Sequence, residues 1–324
     1  MAFLTRRTAS TPALLLIPLR SLALALGLTH CGYAVSEGAT VGGATDLAFG
    51  LFLGFAAVAP LRLAIPAFAY LFVTTLFLRI RALADETGLP AHYDYPVVLD
   101  EFIFLGTVPN VWLQELLYVP GRMGPIDVAL AAVYFSYFAM PTFMALFLWK
   151  VRPALFPRYT WALILTLAGG IVLYLLVPTA PPWLASDAGR IGTVERVIPA
   201  ISAALAGDVY EQAAANLDQN AVAAMPSLHT AVTVITACVL AQFGRRWARA
   251  GIAYVAAMCL ALVYLGEHYV VDELAGIALA LGAWQATAYA SLIRKRRDRL
   301  EPTSVGAVAG ERERAGIPDV RRAA

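Results

Sequence analysis

Charge is what this chain has least of. Of its 324 residues only 14% are Asp, Glu, Lys or Arg, against about 25% in an ordinary soluble domain. Apolar residues make up 60%, where about 45–50% is usual, and they come in long uninterrupted blocks. Blocks of that length read as membrane spans and exclude an ordinary water-soluble enzyme. Cysteine is nearly absent: Cys31, Cys238 and Cys259 lie in or beside apolar blocks, with no paired or metal-ligand spacing, which excludes a disulfide framework. Also missing is any broad basic face. The formal net charge is +2 and arginine gathers toward the tail, which speaks against nucleic acid as a partner. No segment repeats at a fixed period, so neither a solenoid nor an inverted-repeat transporter is supported.

What is present is a series of spans. Apolar segments at 126–149, 159–178, 228–243, 250–266 and 270–293 are mostly long enough to cross a core of roughly 30 Å. Upstream, 12–35 is one apolar block interrupted by Arg20, and 46–81 is another, broken near Ala59-Pro60-Leu61-Arg62. The second is either one tilted helix or two short spans. Basic loops set the orientation, because Lys and Arg near span ends stay cytoplasmic. Lys150, Arg152 and Arg158, then Arg245, Arg246 and Arg249, then Arg294 to Arg299 alternate correctly for one face. The opposite face receives 82–125 and 179–225, rich in acids such as Asp85, Asp100, Asp187 and Glu195. With Arg6 and Arg7 also cytoplasmic, an odd number of spans precedes residue 82, for a total of six or eight; Arg79 and Arg81 fit this poorly. No small-residue cleavage site precedes Cys31, so the first span is expected to be retained. The expected fold is an all-α polytopic bundle of six to eight spans. Residues 1–95 hold the N-terminal spans, 96–293 the main membrane domain, and 294–324 a disordered cytoplasmic tail.

Ionisable residues at span ends are the first functional candidates in such a chain. His229 lies in Pro226-Ser227-Leu228-His229, where Ser227 is a good N-cap and the first helical turn favours an anion such as phosphate. His268 lies in His268-Tyr269-Val270-Val271-Asp272. If the last helix starts by 268, His268 and Asp272 share one face, and the carboxylate can fix the imidazole tautomer while the other ring nitrogen attacks or carries a proton. The charge-derived topology brings both histidines to the outer face.

These two motifs, about 40 residues apart with one helical hairpin between them, resemble the second and third signatures of the type-2 phosphatidic acid phosphatase superfamily. They are most similar to its inositol phosphorylceramide and sphingomyelin synthase branch. The segment Pro178-Thr179-Ala180-Pro181-Pro182-Trp183 also resembles a feature of that branch, and the likeness covers roughly 95–292. It implies that His268 attacks phosphorus to form a phosphohistidine, Asp272 orients it, and His229 protonates the leaving alcohol, with no metal or other cofactor. The implied partners are a phospholipid or lipid-phosphate substrate and a lipid alcohol acceptor, in the bilayer.

Two cationic motifs of the lipid phosphatases are missing. Their Lys-x6-Arg-Pro has no counterpart, since Ala145 stands seven positions before the arginine of Arg152-Pro153, which also belongs to the cytoplasmic face, and Ala261-Leu262 stands where they carry Ser-Arg. Charge developing on a transferred phosphoryl group still needs stabilisation. Arg190 and Arg196 rank first for it, ahead of Arg122, with Ser227 and Tyr269 as further phosphate-binding candidates. The absences favour transfer between lipids over hydrolysis of a lipid (pyro)phosphate; a non-catalytic transporter or lipid-binding scaffold is the alternative of another class.

Plainer readings stand beside these. Ser227 reads as a cap rather than a nucleophile, Asp272 and Glu273 could each merely cap the last helix, and Glu267 could be a solvated loop acid. Two histidines and an aspartate could hold zinc if a further ligand came from elsewhere. His30 and His92 have no motif around them. Between Val97 and Tyr118, short pieces that mix Phe102, Phe104 and Trp112 with Asp100, Glu101, Gln114 and Glu115 fit amphipathic helices in the outer interface. They would be either a platform for a lipid or simple packing over the bundle.

Overall fold

The computed structural model describes residues 88–206 and 221–300, with a few positions between 20 and 57. The expected N-terminal spans, Arg79, Arg81 and the tail beyond Leu300 lie outside the described residues. Nine helices follow in the two long stretches: α1 Asp94–Ile103, α2 Pro109–Leu117, α3 Pro125–Val151, α4 Phe156–Leu176, α5 Pro182–Asp187, α6 Val197–Ala206, α7 Leu228–Ala241, α8 Arg245–Tyr264 and α9 Val270–Leu300. Among the described residues there is no strand, only isolated bridges that tie Thr179 to His92 and to Ala223. The fold is all-α, as the apolar blocks imply.

Three of these helices, α3, α4 and α8, are long and apolar enough to cross a bilayer. The 14 residues of α7 reach about 21 Å, short of the roughly 30 Å hydrocarbon core. Leu228, Ala231, Val232, Ile235 and Val239 of α7 are all buried, because α7 is the central rod against which α3, α4, α8 and α9 pack. It meets Tyr159, Leu163 and Leu167 of α4 and Trp284 of α9 in one apolar cluster. A second cluster joins Ala131 and Tyr134 of α3 to Met258, Leu262 and Tyr264 of α8 and Ile198 and Ile201 of α6. α7 approaches α8 and α9 through small residues, as membrane helices do. A Cβ on Gly251 would lie 2.8 Å from the Cα of Ala237, and one on Gly276 would run into the carbonyl of Ser227.

Two ends of the bundle are therefore defined. At one, Arg152 caps the end of α7 by donating to the Gln242 carbonyl at 2.7 Å, and Arg158 lies 3.8 Å over Trp284. At the other lie the start of α7, the α8–α9 connection and the pair α1–α2. That pair is built inside out relative to a helix on a water-soluble protein. Asp100, Asn110 and Gln114 are fully or almost fully buried, while Phe102 (82% exposed), Leu105 (95%), Trp112 and Leu116 face outward. Apolar groups facing out and polar groups facing in is the arrangement expected where the surroundings are lipid rather than water.

Two boundaries differ from the sequence reading. The division at 95/96 falls inside α1, and α9 runs to Leu300, so 294–300 continue the last helix. Gly and Pro are absent from that stretch, and its Lys and Arg are good helix formers suited to a helix C-terminus.

Candidate active site

The site is built on the short connection between α8 and α9, most of whose backbone groups find partners in neighbouring elements. Gly266 ends α8 with φ +79°, the left-handed conformation glycine supplies at a helix C-terminus. The last carbonyls of α8 need outside donors and find them in neighbouring elements. Asn110 Nδ2 donates to Val263 O at 2.8 Å, and Gln114 Nε2 donates to Tyr264 O at 2.8 Å. The Val197 N–H reaches Leu265 O at 3.3 Å and the Trp183 N–H reaches Gly266 O at 3.2 Å. Asn110 Nδ2 also donates to the carbonyl of His268 at 2.9 Å. On the far side, the amides that begin α9 are taken by two carboxylates. Asp272 Oδ2 accepts from the Tyr269 N–H at 2.9 Å, and Asp100 accepts from Val270 (3.0 Å) and Val271 (2.9 Å).

His268 is held in this frame, 5% exposed. The helix starts at Val270, two residues later than the i, i+4 argument assumes, yet the pair still meets: His268 Nδ1 faces Asp272 Oδ2 at 3.5 Å. That separation is longer than a tight hydrogen bond. The other ring nitrogen, Nε2, lies 3.3 Å from Nδ1 of His229. Ser227 caps α7 by accepting from the Thr230 N–H at 3.3 Å, so His229 sits in the first turn of the central helix. Its ring stacks on Tyr134 (centroids 4.9 Å apart) and lies 4.3 Å from that of Tyr137, both on α3. The main chain couples the two motifs as well, with the Ser227 N–H donating to Asp272 O at 2.9 Å.

A family profile described as the PAP2 superfamily matches residues 104–286, more than half of the chain. The chain belongs to the PAP2 superfamily. Among curated proteins it is similar to a phosphoinositol dihydroceramide synthase of Bacteroides thetaiotaomicron, 28% identical over 177 residues. That alignment covers 49% of this chain and 54% of the relative, so the chain spans about half the length of the curated relative it matches. No solved structure matches it.

The two arginines singled out by sequence as phosphate-binding candidates differ sharply. Arg190 is more than half exposed and pairs with Asp94 at 3.4 Å. Arg196 stands beside the His268 loop, its Nε and Nη2 on the two oxygens of Glu267 at 2.9 and 3.3 Å, its guanidinium 4.7 Å over the Trp183 ring. Glu267 is thus a buried partner of Arg196 rather than a solvated loop acid. Arg122 is exposed in the turn after α2. Tyr269 is fully buried among Val97, Val108 and Ala185, and burial pushes its phenol above the usual range. Exposed His92 contributes backbone bonds to Pro178 and Ala180, which hold the Pro-Pro-Trp segment. Among the described residues, no group of three His, Cys, Asp or Glu is arranged to hold a metal ion.

Sequence reasoning missed Asp100, Asn110, Gln114, Tyr134 and Tyr137. The polar i, i+4 step from Asn110 to Gln114 in a short helix with five apolar side chains (Val111, Trp112, Leu113, Leu116, Leu117) was the available signal. Burial pushes the Asp100 carboxyl up to about 6, and the nearby Asp272 charge adds to this against the two backbone amides that lower it.

Proposed function

We propose that this PAP2 protein is an integral-membrane lipid phosphotransferase that moves a phospho-alcohol head group, phosphoinositol in the first instance, from a phospholipid to a lipid alcohol. The observation that carries this reading is the row Asp272, His268, His229, in which each member faces the next. The head group follows from the name of the Bacteroides relative, and transfer in preference to hydrolysis follows from the two missing cationic motifs.

In the proposed reaction, Asp272 holds the proton on Nδ1 of His268 and leaves the Nε2 lone pair free. Nε2 attacks phosphorus, an N–P bond forms, the P–O bond to diacylglycerol breaks, and protonated His229 gives its proton to the departing oxygen. His229, now neutral, takes the proton of the acceptor hydroxyl; that oxygen attacks phosphorus, the N–P bond breaks, and His268 is restored. An imidazole suits both tasks, as a neutral-pH nucleophile and as an acid that becomes a base. The two rings touch at 3.3 Å, so a phosphoryl group enters by parting them. Arg196 is the proposed phosphate clamp, exchanging its Glu267 partner for the phosphate, with Ser227 at the start of α7 alongside. The same reading makes the protein multi-pass, with the histidines on the extracytoplasmic face and the C-terminus cytoplasmic.

The test uses the full-length chain in mixed micelles with inositol-labelled phosphatidylinositol, with and without dihydroceramide. Transfer predicts a new labelled lipid that depends on dihydroceramide. Water-soluble inositol phosphate formed regardless of acceptor would instead make the enzyme a hydrolase. His268→Ala and His229→Ala are each expected to lose at least about 10³-fold in kcat, in line with losses on removing one member of a catalytic group that acts as a unit; full activity in either overturns the mechanism.

A further inference from the structure

We infer that Asp100 is a positioning residue for the nucleophile: by occupying two amides at the start of α9 it leaves the Asp272 carboxylate free to face His268. The inference rests on the phosphotransfer reading above. Asp100 precedes the family match, which begins at residue 104, and it comes from α1, remote in sequence from both histidine motifs.

The argument is one of competition for donors. A helix start presents unpaired amides, and an aspartate at the third helical position, where Asp272 stands, is well placed to turn back onto them. Were all three amides of Tyr269, Val270 and Val271 open, they would draw both oxygens of Asp272. Asp100 takes two of them, one on each oxygen, at 2.9 and 3.0 Å, and is fully buried while doing so. Only the Tyr269 amide is left to Asp272, on Oδ2, the same oxygen that faces His268 Nδ1. Oδ1 of Asp272 is buried and has no hydrogen-bond partner, so no other donor pulls the carboxylate away from the imidazole that Oδ2 faces. A buried carboxylate at a helix N-terminus also opposes the positive end of the dipole at the point where the His268 imidazole must stay nucleophilic. On its outward side α1 carries the exposed Val98, Phe102 and Ile103, so the same helix that meets lipid sets the geometry of the nucleophile.

The experiment compares wild type, Asp100→Asn, Asp272→Asn and the double variant in the phosphatidylinositol and dihydroceramide assay, with folding followed by thermal unfolding in detergent. In Asp100→Asn one amide meets an N–H donor in place of an oxygen. Misplacement by about 1 Å can cost about a hundredfold, so kcat is expected to fall about 10- to 100-fold with KM within about twofold. In the Asp272→Asn background the same change is expected to cost no more than about twofold, because the two act as one unit. Asp100→Ser, whose hydroxyl still accepts one amide, carries the same prediction should the Asn chain fail to fold. A kcat within twofold of wild type, or losses that multiply in full, overturns the inference and leaves the phosphotransfer reading standing. An active His268→Ala chain would overturn that reading instead.

Discussion

At the scale of single residues, the site separates partners that sequence ranked together. Arg196 and Arg190 stand six positions apart, yet one is held beside His268 by Glu267 and the other pairs with Asp94 at the surface. If Arg196 is the phosphate clamp, Arg196→Ala raises KM for the phospholipid at least about tenfold, the equivalent of about 1.4 kcal/mol. Glu267→Gln, which releases the guanidinium, leaves KM unchanged or lower. A KM that rises equally in both variants would make the pair structural; initial-rate kinetics decide it. Asp100 offers a second residue-level test through stability. Its carboxyl is raised to about 6 from an unfolded value of about 3.9, so between these values the folded chain binds the extra proton. Stability from this group is then fully present below about pH 4 and is lost as pH rises to about 6. The difference in Tm between wild type and Asp100→Asn in detergent is expected to shrink across that window and stay flat above it. The charged and titratable groups facing Asp100 are Asp272, Glu273 and Tyr269, and Asn at 100 leaves all three side chains in place.

At the scale of elements, small and polar residues set how closely helices meet. Gly276 lets α9 lie against the start of α7, and any Cβ there collides with the Ser227 carbonyl. Gly276→Ala is expected to lose about 2 kcal/mol or more, as overpacking does, and to move His229 relative to His268, so activity falls further than stability does. Gln114→Ala on α2 strands the Glu195 N–H and the Glu195 and Tyr264 carbonyls, each worth about 1–3 kcal/mol when buried without a partner. A lower Tm with residual activity per folded molecule near wild type is the expected pattern, since Gln114 touches neither histidine. This is also where sequence legibility stopped. The apolar blocks marked α3, α4, α7, α8 and α9 because hydrophobicity of that length has few meanings. For α1 and α2 an amphipathic pattern was visible, but pattern alone does not say whether water or lipid covers the apolar side. With Asp100, Asn110 and Gln114 facing inward, the helices clamp the site from the side opposite their exposed apolar residues.

At the scale of the whole molecule, the fold gathers two motifs 39 residues apart onto one end of a bundle, because a helical hairpin returns the chain to the face it left. His229, His268 and Asp272 were legible for that reason: few ionisable groups sit at span ends, and an ordered pair of motifs restricts them further. What joins them was not, since Tyr134, Tyr137, Asn110 and Asp100 come from helices whose approach depends on packing. Because the proposed chemistry draws only on side chains of the protein, turnover is expected to be unchanged by a chelator such as EDTA, and loss that added zinc restores would point to a metal-dependent reaction. The central claim is a covalent bond to His268. Its most direct measurement is to quench wild-type turnover of ³²P-phosphatidylinositol in alkali and map the label by mass spectrometry. The account predicts acid-labile inositol phosphate on His268, absent in His268→Ala; turnover with no label on His268, or with label on another residue, would contradict it.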